Sequence, residues 1–223
     1  MRLTPVCPMP RMMGTERTSS TARAETMPTQ SISVSDAQRD MRFAYLSGAP
    51  GILASATAWL IAGLFATHGT PQSAIVGLFI GGMFIHPVGV VVARALGRPG
   101  NHTTGNPLGI LALESTLQML LCLPLAYAVS RYRVEWFFPA MLLIIGGRYL
   151  TFATMYGRRI YWVCGGTLAL AAYLLVAMRA PLALGAYAGA AIEATFGMIV
   201  LIAARKSAAR RLAARAIRPQ TPA

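Results

Sequence analysis

Six apolar stretches, each near the roughly 20 residues that cross a bilayer core, follow one another along the chain. They cover about 50–67, 74–93, 107–129, 136–155, 160–178 and 181–204. Lipid offers no hydrogen-bond partners, so each stretch must satisfy its own backbone as a helix. The expected fold class is all-α: a polytopic membrane protein with a bundle of six transmembrane helices. Four stretches carry a proline at or near the first turn, namely Pro50, Pro107, Pro139 and Pro181. Proline is tolerated there because first-turn N–H groups have no helical acceptor. Asn106 stands where it can cap the helix opened by Pro107. Charged residues make up 12% of the 223, half of what a soluble domain carries.

The rest of the chain divides around this domain. Residues 1–35 are rich in Ser, Thr, Arg, Pro and Met and are expected to be a disordered tail. They lack the apolar core of a signal peptide, and Met27 and Met41 are alternative starts. Residues 36–48 read as an amphipathic helix on the membrane surface, with Ser35 and Gln38 as its capping box. The membrane domain spans 49–204, and 205–223 form a basic tail. The short connections leave no room for an extramembrane domain.

The net charge of +13 is unevenly placed. With six spans, both termini share a side. That side holds Arg39, Arg42, Arg94, Arg98, Arg158, Arg159 and six basic residues after Ala204, twelve in all, against Arg131, Arg133 and Arg179 opposite. The excess predicts that both termini are cytoplasmic. The basic tail then rests on anionic lipid rather than serving as an arm for nucleic acid. Trp136, Phe137 and Phe138 are expected at the outer interface, and Tyr156, Tyr161 and Trp162 at the inner one.

Polar residues inside the spans are the candidate site. Glu114, Arg148 and Glu193 are formally charged, and His86 and Gln118 join them. Each charge costs roughly 2.5–3.5 kcal/mol to insert, so these groups should face the bundle interior with partners. Counted from the span ends, His86, Glu114 and Arg148 lie about 7 residues from the inner edge, one layer roughly 10 Å deep. Glu114 and Arg148 are expected to form a charge-assisted pair. Glu193 lies nearer mid-membrane and either shares Arg148 or carries a proton. Gly185, Gly189, Glu193 and Gly197 fall on one helical stripe, and Gly82, His86, Gly89 and Ala93 on another. Such stripes let helices approach closely. Pro87 and Pro124 free the carbonyls of Met83 and Leu120, which then need a partner or a wet cavity.

There is also a weak internal match. Leu113-Glu114-Ser115-Thr116 with Met119 parallels Ile192-Glu193-Ala194-Thr195 with Met198, and Gly81-Gly82 parallels Gly165-Gly166. A three-span shift would make the halves an inverted 3+3 repeat, an architecture common in transporters. The three cysteines and three histidines show neither a disulfide framework nor metal-ligand spacing. No metal, no other cofactor and no catalytic residue is expected. An intramembrane serine protease would need a loop Ser paired with a membrane His, and His86 with Gly89 supplies only half of that.

The runs Trp136-Phe137-Phe138-Pro139-Ala140-Met141 and Gly146-Gly147-Arg148-Tyr149-Leu150-Thr151-Phe152 resemble those of an uncharacterised bacterial integral-membrane family, a domain of unknown function. Ser47-Gly48-Ala49-Pro50-Gly51, Ile85-His86-Pro87-Val88-Gly89 and Gly105-Asn106-Pro107-Leu108-Gly109 with Leu113-Glu114 are similar to it as well. The resemblance covers about 35–204. It implies a six-span protein of the bacterial inner membrane and carries no activity with it. The extended N-terminus departs from the family pattern.

Two functions remain open on these residues. One is a small transporter or channel-like protein whose polar layer of His86, Glu114, Gln118, Arg148 and Glu193 binds a small solute or carries protons. The other is a structural or accessory membrane protein in which the same charges only lock the bundle. A homo-oligomer is compatible with both.

Overall fold

The computed structural model describes residues 32–217. The disordered tail expected over 1–35 therefore lies outside the described residues up to Ser31, as does the end of the basic tail beyond Ile217. The helices are α1 (Val34–Ala44), α2 (Ala49–His68), α3 (Pro71–Ala95), α4 (Leu108–Tyr132), α5 (Phe137–Tyr156), α6 (Ile160–Ala177) and α7 (Leu182–Ile217). Six of these, α2 to α7, are long and apolar enough to cross a membrane. They match the six expected stretches to within a few residues. The last departs most: α7 has 36 residues, so the basic segment continues the sixth span as helix instead of leaving it as a tail. Its alanines and arginines are strong helix formers, and nothing between Ala204 and Ile217 breaks the helix.

Helix α1 also starts earlier than expected. Its cap is Ser33, whose hydroxyl accepts from the Asp36 N–H at 3.2 Å, and not Ser35. Gln38, expected in the capping box, instead donates to the Thr154 carbonyl at 2.7 Å. Ala37, Met41 and Ala44 are buried, as an amphipathic helix requires. Between α1 and α2 the chain makes a left-handed turn, with φ of 49° at Leu46, 57° at Ser47 and 82° at Gly48. Each non-glycine residue held there costs about 1–2 kcal/mol. Two bonds hold the turn: Gly48 N–H donates to the Tyr45 carbonyl, and the Tyr161 hydroxyl donates to the Ser47 carbonyl.

The spans pack as an arc. Helix α2 packs along α3 and α7; α5 packs along α6 and α4; α7 also meets α5 and α6. The order round the arc is α3, α2, α7, α5, α4, with α6 behind α5 and α7. Helices α3 and α4 end the arc and do not pack along each other. In each half, the first span packs on its own second span and on the third span of the other half. An inverted repeat would give that pairing, but the halves differ elsewhere: α6 packs on α7, whereas α3 does not pack along α4. The hairpins share a device too: a Cβ on Gly81 would lie 2.7 Å from that of Ala58, and one on Gly165 would lie 2.6 Å from the Gly146 carbonyl oxygen. The match of Glu114 to Glu193 is not kept, because Glu193 is fully buried and Glu114 is exposed.

Aromatic side chains fill the core. Phe137 and Phe138 are buried, with ring centroids 5.5 Å from Phe79 and 5.7 Å from Trp59 respectively. Tyr156 and Tyr161 are buried as well. The expected interfacial belts therefore reduce to Trp136 and Trp162, both exposed. Hydropathy gives the depth of a residue but not its rotation about the helix, and these rings turned inward.

Candidate functional site

The concave side of the arc holds a cavity of about 130 Å³, ample for ordered water. One wall is α2 and α3, with Ser55 and His86 as its polar groups; the other is α5, with Arg148 and Tyr149. Met119 enters from α4, and Tyr45 and Tyr156 line the end nearest α1. Helices α2 and α3 close tightly there, since a Cβ on Gly89 would stand 3.1 Å from the Gly51 Cα.

Arg148 makes no direct ion pair, although the buried Glu193 is close enough to act on it through its charge. Its guanidinium donates to the Thr116 hydroxyl at 3.1 Å and to the Met119 sulfur at 3.4 Å, and it lies 5.2 Å from the Phe152 ring centroid. Its Nε–H is buried without a hydrogen-bond partner. Among the described residues the ion pair is Arg39 with Asp36, on α1. The expected pair of Arg148 with Glu114 is thus not formed. The cause is helical phase: at about 100° per residue, Glu114 and Gln118 stand opposite Thr116 on α4. Ser115, Thr116 and Met119 turn inward, while Glu114 and Gln118 are exposed and do not line the cavity.

Glu193 is fully buried between α2 and α5. The Tyr149 hydroxyl donates to its Oε1 at 3.0 Å, and its Oε2 has no hydrogen-bond partner. The glycine stripe sets this register. A Cβ on Gly189 would lie 2.7 Å from the Trp59 ring, and one on Gly197 would lie 2.8 Å from Leu53. That leaves Glu193 level with Ser55. Tyr149 lines the cavity, so its ring separates the cavity from the carboxyl. The structure thus brings His86 and Arg148 to the cavity, sets Glu193 one residue behind it and leaves Glu114 and Gln118 outside. Sequence reasoning missed Tyr149, Thr116 and Tyr156. A signal was present: Tyr149, Phe152 and Tyr156 recur at helical spacing from Arg148's own turn.

The α1 end is fastened by polar bonds. Asp40 accepts from the Thr103 N–H at 2.9 Å, the Thr103 hydroxyl at 2.9 Å and the Asn106 amide at 2.8 Å. Asn106 caps α4, accepting from the Leu108 N–H at 3.0 Å. Tyr45 and His102 share a bond of 3.0 Å, and Arg42 donates to the Tyr156 carbonyl at 2.6 Å. Burial pushes the Asp40 carboxyl up, but the Asn106 and Thr103 bonds outweigh it and hold the group below its usual range. A depressed carboxyl stabilises the fold above its unfolded pKa of about 4, and that contribution is lost as pH falls through the lower folded value. Asp40→Ala should therefore speed tryptic cleavage at Arg39 and Arg42 by about tenfold at pH 7, corresponding to about 1.5 kcal/mol. A fluorophore on Ser35→Cys of the wild-type background should detect release of α1 only in acid below about pH 4.

Among the described residues, no three His, Cys, Asp or Glu side chains gather closely enough to hold a metal ion. No curated protein and no solved structure matches the chain. The sequence model of a family of unknown function (DUF7010) matches residues 34–203, from the start of α1 to within α7. With six membrane-length helices and most of its length covered by that match, the chain is an integral membrane protein belonging to this family.

Proposed function

We propose that the protein is a carrier for a small anionic solute, working in the inner membrane of a bacterium with both termini in the cytoplasm. The single observation behind this reading is Arg148: a guanidinium on the wall of a membrane cavity that makes no direct ion pair. A cation in that setting is costly unless its charge is met. Thr116, Met119 and Phe152 supply dipoles and a ring face, and Glu193 acts on it without a direct ion pair. An anion entering the cavity would meet it. A volume of about 130 Å³ suits a small carboxylate or an inorganic oxyanion. Glu193, reached through the Tyr149 hydroxyl, would take up and release the coupled proton. His86 would stand where a second proton could be passed. The basic residues on the α1 side would hold that face on anionic lipid, in keeping with the positive-inside bias.

One observation favours the structural reading. The same Arg148 bonds tie α4 to α5, which is α4's main neighbour. The two readings separate on ligand response. Purified protein in mild detergent is heated with a series of small monocarboxylates, dicarboxylates, phosphate and sulfate. A solute at 100 times its Kd stabilises by about 2.7 kcal/mol, a rise of several degrees, and Arg148→Gln should abolish that rise. The same solute should then enter proteoliposomes carrying wild type. If no anion shifts the wild type and Arg148→Gln simply melts earlier, Arg148 is a clamp and the carrier reading fails.

A further inference from the structure

We propose that two copies of the chain pair through the outward face of α4, parallel and related by a twofold axis along the membrane normal. In that pairing, Glu114 of each copy accepts from the amide of Gln118 of the partner subunit. Helix α4 is the least buried of the six spans and packs along α5 alone among them. Its outward stripe runs Glu114, Gln118, Leu121, Leu125, at spacings of four, three and four. Leu121 is 80% exposed and Leu125 64% exposed. The leucines alone would suit lipid. The carboxylate and carboxamide do not.

Depth sharpens the point. A 25-residue helix is about 37 Å long, which exceeds the roughly 30 Å hydrocarbon core by a few ångström at each end. Gln118 lies ten residues in from Leu108, about 15 Å along the axis, well inside the hydrocarbon. Glu114 can reach back toward the interface; Gln118, with a side chain of the same length but one turn deeper, cannot. Lipid chains offer it neither donor nor acceptor.

A second copy answers both groups at once. Identical chains insert with identical orientation, so their α4 helices are parallel and a twofold axis is the simplest closed symmetry. Near such an axis, residues one turn apart on one helix meet each other's counterparts. An acceptor and a donor one turn apart are then self-complementary, and the dimer forms the bond twice. A polar pair on an apolar seam also fixes register and copy number. The outward face of α3 offers no such pair: Val76, Ile80, Met83 and Val91 are exposed there, and lipid satisfies them.

Cysteine cross-linking in native membranes tests this. In a background with Cys7, Cys122 and Cys164 changed to serine, single cysteines replace Leu121 or Leu125 on the stripe, and Leu113 or Leu120 away from it. Oxidation should give a band of twice the monomer mass from Leu121→Cys and Leu125→Cys but not from Leu113→Cys or Leu120→Cys. Adding Glu114→Leu with Gln118→Leu should cut association of labelled copies in vesicles by about tenfold, read as energy transfer on lipid dilution. Both changes point away from the bundle, so the fold is not at risk. Absence of cross-links on the stripe, stronger cross-links at Leu113→Cys or Leu120→Cys, or unchanged association in the double-leucine variant would each overturn the proposal.

Discussion

Gly165→Ala should destabilise the bundle by about 3 kcal/mol, the upper end of the range for overpacking, while Gly166→Ala should be neutral or slightly stabilising. A Cβ on Gly165 would lie 2.6 Å from the Gly146 carbonyl oxygen, whereas one on Gly166 would meet nothing within 4 Å. The clash is with backbone, so no rotamer relieves it. Helices α5 and α6 must move apart, and every side chain packed on that crossing loses contact. At Gly166 the added methyl meets open space and gains helix propensity, worth at most about 1 kcal/mol. The same contrast recurs at Gly81 against Gly82 and at Gly146 against Gly147, where again only the first of each pair is in tight contact. Thermal unfolding of six alanine variants in one detergent measures the set. Equal melting of Gly165→Ala and Gly166→Ala would show that the close crossing of α5 and α6 is wrong.

Tyr149→Phe should cost about 2–3 kcal/mol, because it takes from the buried Glu193 carboxyl the 3.0 Å bond to its Oε1 and leaves only Ser55 beside it. Glu193→Gln should cost much less, since an amide of the same shape can still accept from the tyrosine. Tyr149→Phe together with Glu193→Leu should recover most of the loss, because two apolar groups of similar volume replace the pair. A double-mutant cycle by thermal or denaturant unfolding gives the coupling directly. The recovered double variant also separates the two functional readings. A carrier that moves a proton through Glu193 is inactive in this variant although it is folded, whereas a purely structural pair leaves any activity in place. A double variant as unstable as Tyr149→Phe alone would mean that the Tyr149–Glu193 bond is not what holds this part of the core.

The spans were legible because crossing a bilayer demands length and apolarity, and both are visible in sequence. Rotation was not legible. A helix apolar on all sides carries no periodic signal of which face turns inward. That is why Thr116 meets Arg148 where Glu114, two residues away, was expected, and why Phe137 and Phe138 entered the core from a run read as interfacial. Glu193 was placed correctly because three glycines share its stripe, and close approach is a signal of rotation that hydropathy lacks. The Ser33 cap was missed because Ser33 and Ser35 offer the same hydroxyl, and only the course of the chain at Ile32 and Ser33 selects between them. The continuation of α7 was missed because charge was read as the end of the helix. Charge ends a span, not a helix.

Helix α1 bonds to the α3–α4 connection through Asp40 and Ala44 and to the end of α5 through Gln38 and Arg42. It is therefore a crossbar between the two jaws of the arc, bolted at both ends on one side of the membrane only. Jaws tied at one end form a wedge. Any force that spreads or squeezes α3 and α4 from within the bilayer acts on a lever whose fulcrum is this crossbar, so displacement grows with distance from α1. Its anchoring bonds are polar and close to water, where solutes and pH reach them and lipid does not. At the α1 end, the cavity's stiffness is thus set outside the hydrocarbon that surrounds it, by bonds in which α7 takes no part.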